Sequence, residues 1–240
     1  MENQVTQLLK AMVKPDYTAC SYAFMQNGKI VCADAIGVID KINNQPITTN
    51  CTFNVCSISK IYCTVCIMQL VDEGFIQLED KVADILPEFT MKDERYKDIT
   101  VRMCLDHSSG LPGTQWKHFS VSTTSKFDYY SEVLNYLSNS TLKADPGTYS
   151  TYCNDGFTLA EMVVSKVRNM PYEDVLKKYI TEKIGANSTN TTYTITSDYP
   201  LVSEGKKPKE YFPIQGAGGI TTSMIDLCKF GQLFLEPNSI

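Results

Sequence analysis

The sequence predicts an α+β fold: a mostly helical region packed on an antiparallel sheet of which only the N-terminal hairpin is present. Three observations predict it. Ser21–Met25 and Ile30–Ala33 are short strand-like runs on either side of Asn27-Gly28, and Asn-Gly between apolar runs is the strongest short-range hairpin signal. Ser57–Gly74 is apolar on nearly all sides and closes on a glycine, as a helix in the middle of a protein does. Phe127–Leu137, Phe157–Val167, Tyr172–Ile184 and Ser223–Leu235 repeat apolar residues at helical spacing.

The remaining elements are shorter. The N-terminal segment reads as helical, and the stretch from the hairpin to Asn54 is less regular. Leu78–Leu86 reads as a short helix ended by Pro87, since proline cannot continue the hydrogen-bond ladder. Val101–His107 reads as another, closed by Ser108-Ser-Gly-Leu-Pro112. No repeat or low-complexity linker interrupts the chain, so residues 1–240 are expected to form a single domain. The last helix is expected to run almost to the final residue. Two strands do not cover a sheet face, so the domain is expected to be incomplete at its C-terminus.

Composition narrows the function. The chain has 22 basic and 27 acidic residues, a formal net charge of −5, and no lysine- or arginine-rich run. It therefore lacks the electrostatic footprint of a nucleic-acid binder. No apolar stretch reaches membrane-spanning length, and no basic segment followed by an apolar core opens the chain. A cytoplasmic protein with a small-molecule or peptide substrate, without nucleic-acid or membrane partners, is the expectation. The nine cysteines are scattered, mostly through apolar runs, rather than paired. They read as reduced thiols buried as small hydrophobes. Asn-x-Ser/Thr triplets at Asn50, Asn139, Asn187 and Asn190 would matter only in a secretory pathway.

Chemistry enters with Ser-x-x-Lys, which occurs at Ser57/Lys60, Ser140/Lys143 and Ser203/Lys206. Context separates the three. Ser140 lies in a polar stretch leading to Asp145-Pro-Gly147, and Ser203 in the charged segment Glu204-Gly-Lys-Lys-Pro208. Only Ser57 opens a long apolar helix. Positions i and i+3 share a helix face, so Lys60 reaches the Ser57 hydroxyl. Desolvation in an apolar helix favours the neutral amine, a usable base. The helix N-terminus adds amide N–H groups that favour a developing oxyanion. Tyr152-Cys-Asn154, the only Tyr-x-Asn in the chain, follows the turn-rich Asp145–Thr151 and precedes the Phe157 helix. A loop tyrosine can exchange a proton, and an amide two residues on can hold a substrate carbonyl.

Four blocks then carry a resemblance. Phe53–Lys60 with Leu78–Phe89, Ile99–Pro112, Pro146–Gly156 and Gly216–Asp226 stand in order over about residues 20 to 235. Together they resemble the serine β-lactamases and penicillin-binding proteins, with their class C β-lactamase, D-alanyl-D-alanine carboxypeptidase and esterase relatives. The resemblance implies the β-lactamase/transpeptidase-like fold. It implies Ser57 as the acylated nucleophile, Lys60 as its activating partner, Tyr152 as a second general acid/base and Asn154 as a substrate contact. It also implies a last active-site strand bearing Lys-Thr-Gly or His-x-Gly, and neither pattern occurs here. Lys229-Phe-Gly231 has the letters Lys-x-Gly but lies in a helical pattern. The chain is therefore expected to be C-terminally truncated, with an uncovered hairpin that favours self-association.

Other signals are discounted. Cys63-x-x-Cys66 sits inside the apolar helix with no second pair, so it reads as structural. His107 and His118 lack metal-ligand spacing, and His107 reads as a structural hydrogen-bonding residue. Gly216-x-Gly218-Gly219 departs from a phosphate loop at Thr221. No cofactor and no metal is implied. Two functions remain: a hydrolase that forms and releases an acyl-enzyme on a peptide, β-lactam or ester carbonyl, and a non-catalytic or slowly deacylating sensor of the same fold.

Overall fold

A computed structural model describes residues 2–13, 19–121, 127–191 and 211–235. In chain order, α1 (Glu2–Met12) precedes β1 (Ala19–Gln26), β2 (Lys29–Asp40), β3 (Gln45–Pro46) and β4 (Phe53–Asn54). A 3-10 turn, Cys56–Ile58, leads into α2 (Ser59–Asp72), then α3 (Val82–Ile85), α4 (Val101–Leu105), α5 (Tyr129–Ser138), α6 (Asn154–Arg168) and α7 (Tyr172–Leu176). A π-helical turn, Lys177–Thr181, prolongs α7. Last come β5 (Asn190–Thr191), α8 (Gln215–Gly218), β6 (Ile220–Thr222) and α9 (Met224–Gln232). The fold is α+β, with small antiparallel sheets and many helices.

The chain divides into two compact units: Met1–Val55, Lys178–Lys209 and Ile220–Ile240 form one, and Cys56–Lys177 with Glu210–Gly219 the other. In the first unit the sheet order is β1-β2-β3. Asn27 and Gly28 both take positive φ, 50° and 71°, the left-handed pair that a two-residue hairpin turn demands. The hairpin is longer than its sequence pattern, because β2 continues through the stretch read as irregular, as far as Asp40. A register shift between Phe24 and Met25 breaks the strict alternation there. Helices α1 and α9 pack on this hairpin, and Ile39, Ile47 and Cys51 form a small core below it.

The same unit holds a second sheet that the sequence did not announce, antiparallel in the order β4-β6-β5. Its strands are two or three residues long, too short to print a period. Asp226 pins it at one side: its carboxylate accepts from the Ser188 amide at 2.7 Å and the Ser188 hydroxyl at 2.5 Å. Helix α9 stops at Gln232 rather than running almost to the last residue.

In the second unit α6 is the central helix, packing against α2, α3, α4, α5, α7 and α8. Every residue from Asn154 to Val164 is buried. Helix α2 contributes Tyr62, Cys63, Cys66, Ile67 and Leu70 to this core, and fully burying each large aliphatic contributes about 1.5–3 kcal/mol. It is not buried all round, however, since Ile61 and Met68 are exposed. The predicted helix over Leu78–Leu86 is a single turn, α3, because Lys81 still has extended backbone.

Candidate active site

Ser57 lies in the 3-10 turn that precedes α2, not in the first α-helical turn as its spacing suggested. The residue before it, Cys56, holds φ at 46° without being glycine. Such left-handed backbone costs of order 1–3 kcal/mol and collects at functional sites. The tighter turn preserves the predicted juxtaposition: Lys60 Nζ donates to Ser57 Oγ at 3.4 Å. Lys60 itself is buried, 5% exposed, and its ammonium also donates to the Ala217 carbonyl at 2.6 Å.

Tyr152 arrives from the other side. Helix α6 starts at Asn154, three residues earlier than its apolar pattern, so Tyr152 stands just ahead of the helix N-terminus. Its hydroxyl shares a hydrogen bond of 2.6 Å with Ser57 Oγ, and Lys60 Nζ lies 4.8 Å from its ring centroid. The Tyr152 ring leans on His107, centroids 4.5 Å apart, and His107 Nδ1 accepts the Cys153 amide at 3.2 Å. Burial, and then the neighbouring Lys60 charge, hold His107 below its ordinary pKa. Protonation of the ring is thereby disfavoured, and its face supports the tyrosine. Asn154 is buried, 7% exposed, and its Oδ1 has no hydrogen-bond partner among the described residues. A buried amide oxygen without a partner is costly, and a substrate donor would satisfy it.

The structure therefore brings Ser57, Lys60 and Tyr152 into direct contact. Ser140 goes elsewhere, its hydroxyl donating to the Tyr136 carbonyl at 2.7 Å, and Ser203 with Lys206 lies outside the described residues. No disulfide joins any of the nine cysteines, and Cys51, Cys63, Cys66, Cys104 and Cys153 are buried as expected. The other four correct the expectation: Cys20, Cys32 and Cys228 are only half-buried, and Cys56 is exposed, with Sγ 4.0 Å from Ser57 Oγ. Among the described residues no cluster of three or more ligating side chains could hold a metal ion. No helix among them is long and apolar enough to cross a membrane.

Three participants escaped the sequence reading. The Ala217 carbonyl that receives Lys60 is a backbone group, which residue types do not announce. Asp155 and Glu161 are fully buried carboxyls on α6. Asp155 accepts the Gln115 amide on both oxygens, at 2.9 and 3.0 Å. Glu161 accepts the Gly216 amide and the Tyr130 hydroxyl, each at 2.6 Å. The sequence pattern hides them: Glu161 falls in the polar stripe Asn154, Thr158, Ser165 and Arg168, which reads as a solvent face, and Asp155 lies at the edge of the apolar one, yet the helix is buried on both faces there.

Comparison with known proteins places this arrangement. The chain is 27% identical over 158 residues to penicillin-binding protein 4 of Amycolatopsis lactamdurans, covering 65% of this chain and 40% of that one. It is 24% identical over 245 residues to a β-lactamase of Pseudomonas fluorescens, covering 97% and 65%. The octameric penicillin-binding protein homologue from Pyrococcus abyssi superimposes with a TM-score of 0.78 at 24% identity, over 99% of this chain and 57% of that one. The chain spans about half the length of the curated relatives it matches. The Beta-lactamase family model matches residues 5–240, and the chain belongs to that family.

Proposed function

We propose that the protein is a serine hydrolase that works through an acyl-enzyme on Ser57, acting on a peptide, β-lactam or ester carbonyl. The observation that carries this reading is the contact set around one hydroxyl: Ser57 Oγ lies 2.6 Å from the Tyr152 hydroxyl and 3.4 Å from Lys60 Nζ. Ser57 Oγ attacks the carbonyl carbon and its proton passes to the base, leaving a tetrahedral oxyanion. Amide N–H groups of the turn that opens α2 have no intrahelical partner and face such an anion favourably. Collapse breaks the bond to the leaving amine or alkoxide, which takes the proton back from the base. Water then attacks the ester on Ser57 by the same path in reverse. Asn154 Oδ1 receives a donor from the substrate.

Which group is the base divides the mechanism. The sequence favoured neutral Lys60. The shorter contact favours Tyr152 as the immediate proton acceptor, with Lys60 close over its ring and held by the Ala217 carbonyl. Either way one proton moves between Ser57 and a group within hydrogen-bond reach.

The test is covalent. A fluorophosphonate or an acylating β-lactam, followed by peptide mass mapping, is expected to label the Ser57 peptide and to fail on Ser57→Ala. Equal labelling of the two proteins would defeat the reading. Labelling followed by no release of an ester product would assign the sensor function instead.

A further inference from the structure

Glu161 makes little sense as packing. It sits two turns along α6 from Asn154, amid buried Leu159, Ala160, Met162, Val163 and Val164. The titratable groups that act on it are Tyr129 and Tyr130 of α5, Cys63 of α2, and Tyr172 and Glu173 of α7, none of them a cation. Burial lifts its carboxyl to about 8, although the Tyr130 and Gly216 donors pull it back. An apolar side chain of the same size would fill this space at lower cost. What a carboxyl adds is two acceptor atoms at fixed separation. One receives Tyr130. The other receives the backbone amide of Gly216, and the next residue, Ala217, offers the carbonyl that holds Lys60 Nζ at 2.6 Å.

The fit between the two is tight at residue 216. A Cβ on Gly216 would lie 3.1 Å from Glu161 Cβ and 3.2 Å from both Glu161 Oε2 and Cys63 Sγ. Glycine lets the backbone come down onto the carboxyl. A continuous chain of contacts then runs from Tyr130 through Glu161, Gly216 and Ala217 to Lys60 and Ser57, all inside one compact unit.

We propose that Glu161 is a positioning residue for acyl transfer: it holds the Gly216 amide so that the Ala217 carbonyl presents to Lys60 and keeps the amine on Ser57. The proposal rests on the acyl-enzyme reading above and deepens it. A displacement of about 1 Å in such a relay costs up to about a hundredfold in rate.

Glu161→Gln, Glu161→Leu and Glu161→Asp separate the roles. The amide of Gln keeps an acceptor at the same reach and imitates the protonated acid. Leu removes the acceptor, and Asp withdraws it by one methylene. Stopped-flow acylation by an activated p-nitrophenyl ester, with thermal melts in parallel, gives the ester dissociation constant and the acylation rate separately. The Gln variant is expected within about threefold of the parent rate. Leu and Asp are expected to be about ten- to a hundredfold slower, with the dissociation constant changed less than about twofold. A cooperatively melting Leu or Asp variant that acylates at the parent rate overturns the proposal. So does a Gln variant as slow as Leu. Should Leu and Asp both fail to fold, Gln decides: parent-like acylation with the Gly216 amide still protected from hydrogen exchange supports the role, and a loss beyond about tenfold overturns it. A parent protein that is never acylated at Ser57 would instead remove the underlying reading.

Discussion

Asp155→Asn offers a stability measurement whose sign and size follow from one buried group. Asp155 is fully buried, and burial raises its carboxyl from the ordinary 3.8 to about 7, against the pull of the Gln115 amide. Between those values the folded chain keeps a proton that the unfolded chain has released. Stability therefore falls as pH rises through the window, by about 1.4 kcal/mol per pH unit. From an unfolded value of 3.8 to a folded value of about 7, the loss attributable to this one group is about 4 kcal/mol. Below the window both states are protonated and the term vanishes; above it the loss is complete. The asparagine amide keeps an acceptor for Gln115 and cannot ionise. The variant should match the parent near about pH 4 and exceed it by about 4 kcal/mol near about pH 8. Nearby Cys153, pushed up to about 11, titrates outside the window, and Tyr129 is raised further still. Urea denaturation at a series of pH values, followed by fluorescence, reads the difference. The chain has one tryptophan, Trp116, directly beside the Gln115 amide. Stability curves of variant and parent that run parallel from acid to alkaline pH would refute the reasoning.

Two further outcomes follow from the geometry. Lys60→Arg keeps the charge but removes the deprotonatable amine, and Tyr152→Phe removes the closer hydroxyl; the one that loses about 10²–10⁴-fold in acylation of Ser57 is the base, and near-parent rates in both would dismiss each. Gly110→Ala should destabilise by several kcal/mol, because Gly110 holds φ at 73° and a Cβ there would lie 2.3 Å from the Ala144 carbonyl oxygen; a melting temperature unchanged from the parent would contradict that packing.

The parts legible in the sequence were those in which a local rule and the tertiary structure agree. Asn27-Gly28 specified a hairpin turn because few other residue pairs tolerate two positive φ angles in succession. Ser57 and Lys60 were legible because three residues bring them to one face whether the turn is α or 3-10. Tyr152 and Asn154 were found by their motif, yet the start of α6 was placed three residues late. Asn154 and Asp155 are polar, and an apolar-period reading begins a helix at its first hydrophobic residue, here Phe157. The sheet of β4, β5 and β6 was illegible for a different reason. Its pairs, Phe53 with Thr222 and Thr191 with Ile220, are distant in sequence and only two or three residues long, so no local window contains the evidence for them.

The two carboxyls of α6 show why buried polar groups can be retained against their own cost. Asp155 ties the segment around Gln115 to the start of the helix, and Glu161 ties the Gly216–Ala217 segment to its middle. Each tie ends on a backbone amide, and each lies next to a residue that touches the site: Asn154 beside Asp155, and Ala217 beside Gly216. A hydrophobic contact would stabilise these segments as well but would leave them free to slide, because apolar attraction has no preferred direction. A hydrogen bond to a carboxyl oxygen fixes both distance and orientation. Lys60 depends on that orientation, since its ammonium has one carbonyl and one serine hydroxyl to satisfy and must meet both from a single rotamer. The central helix thus buries polar groups that its period would leave to solvent, and it does so at the positions that aim backbone at the reacting centre.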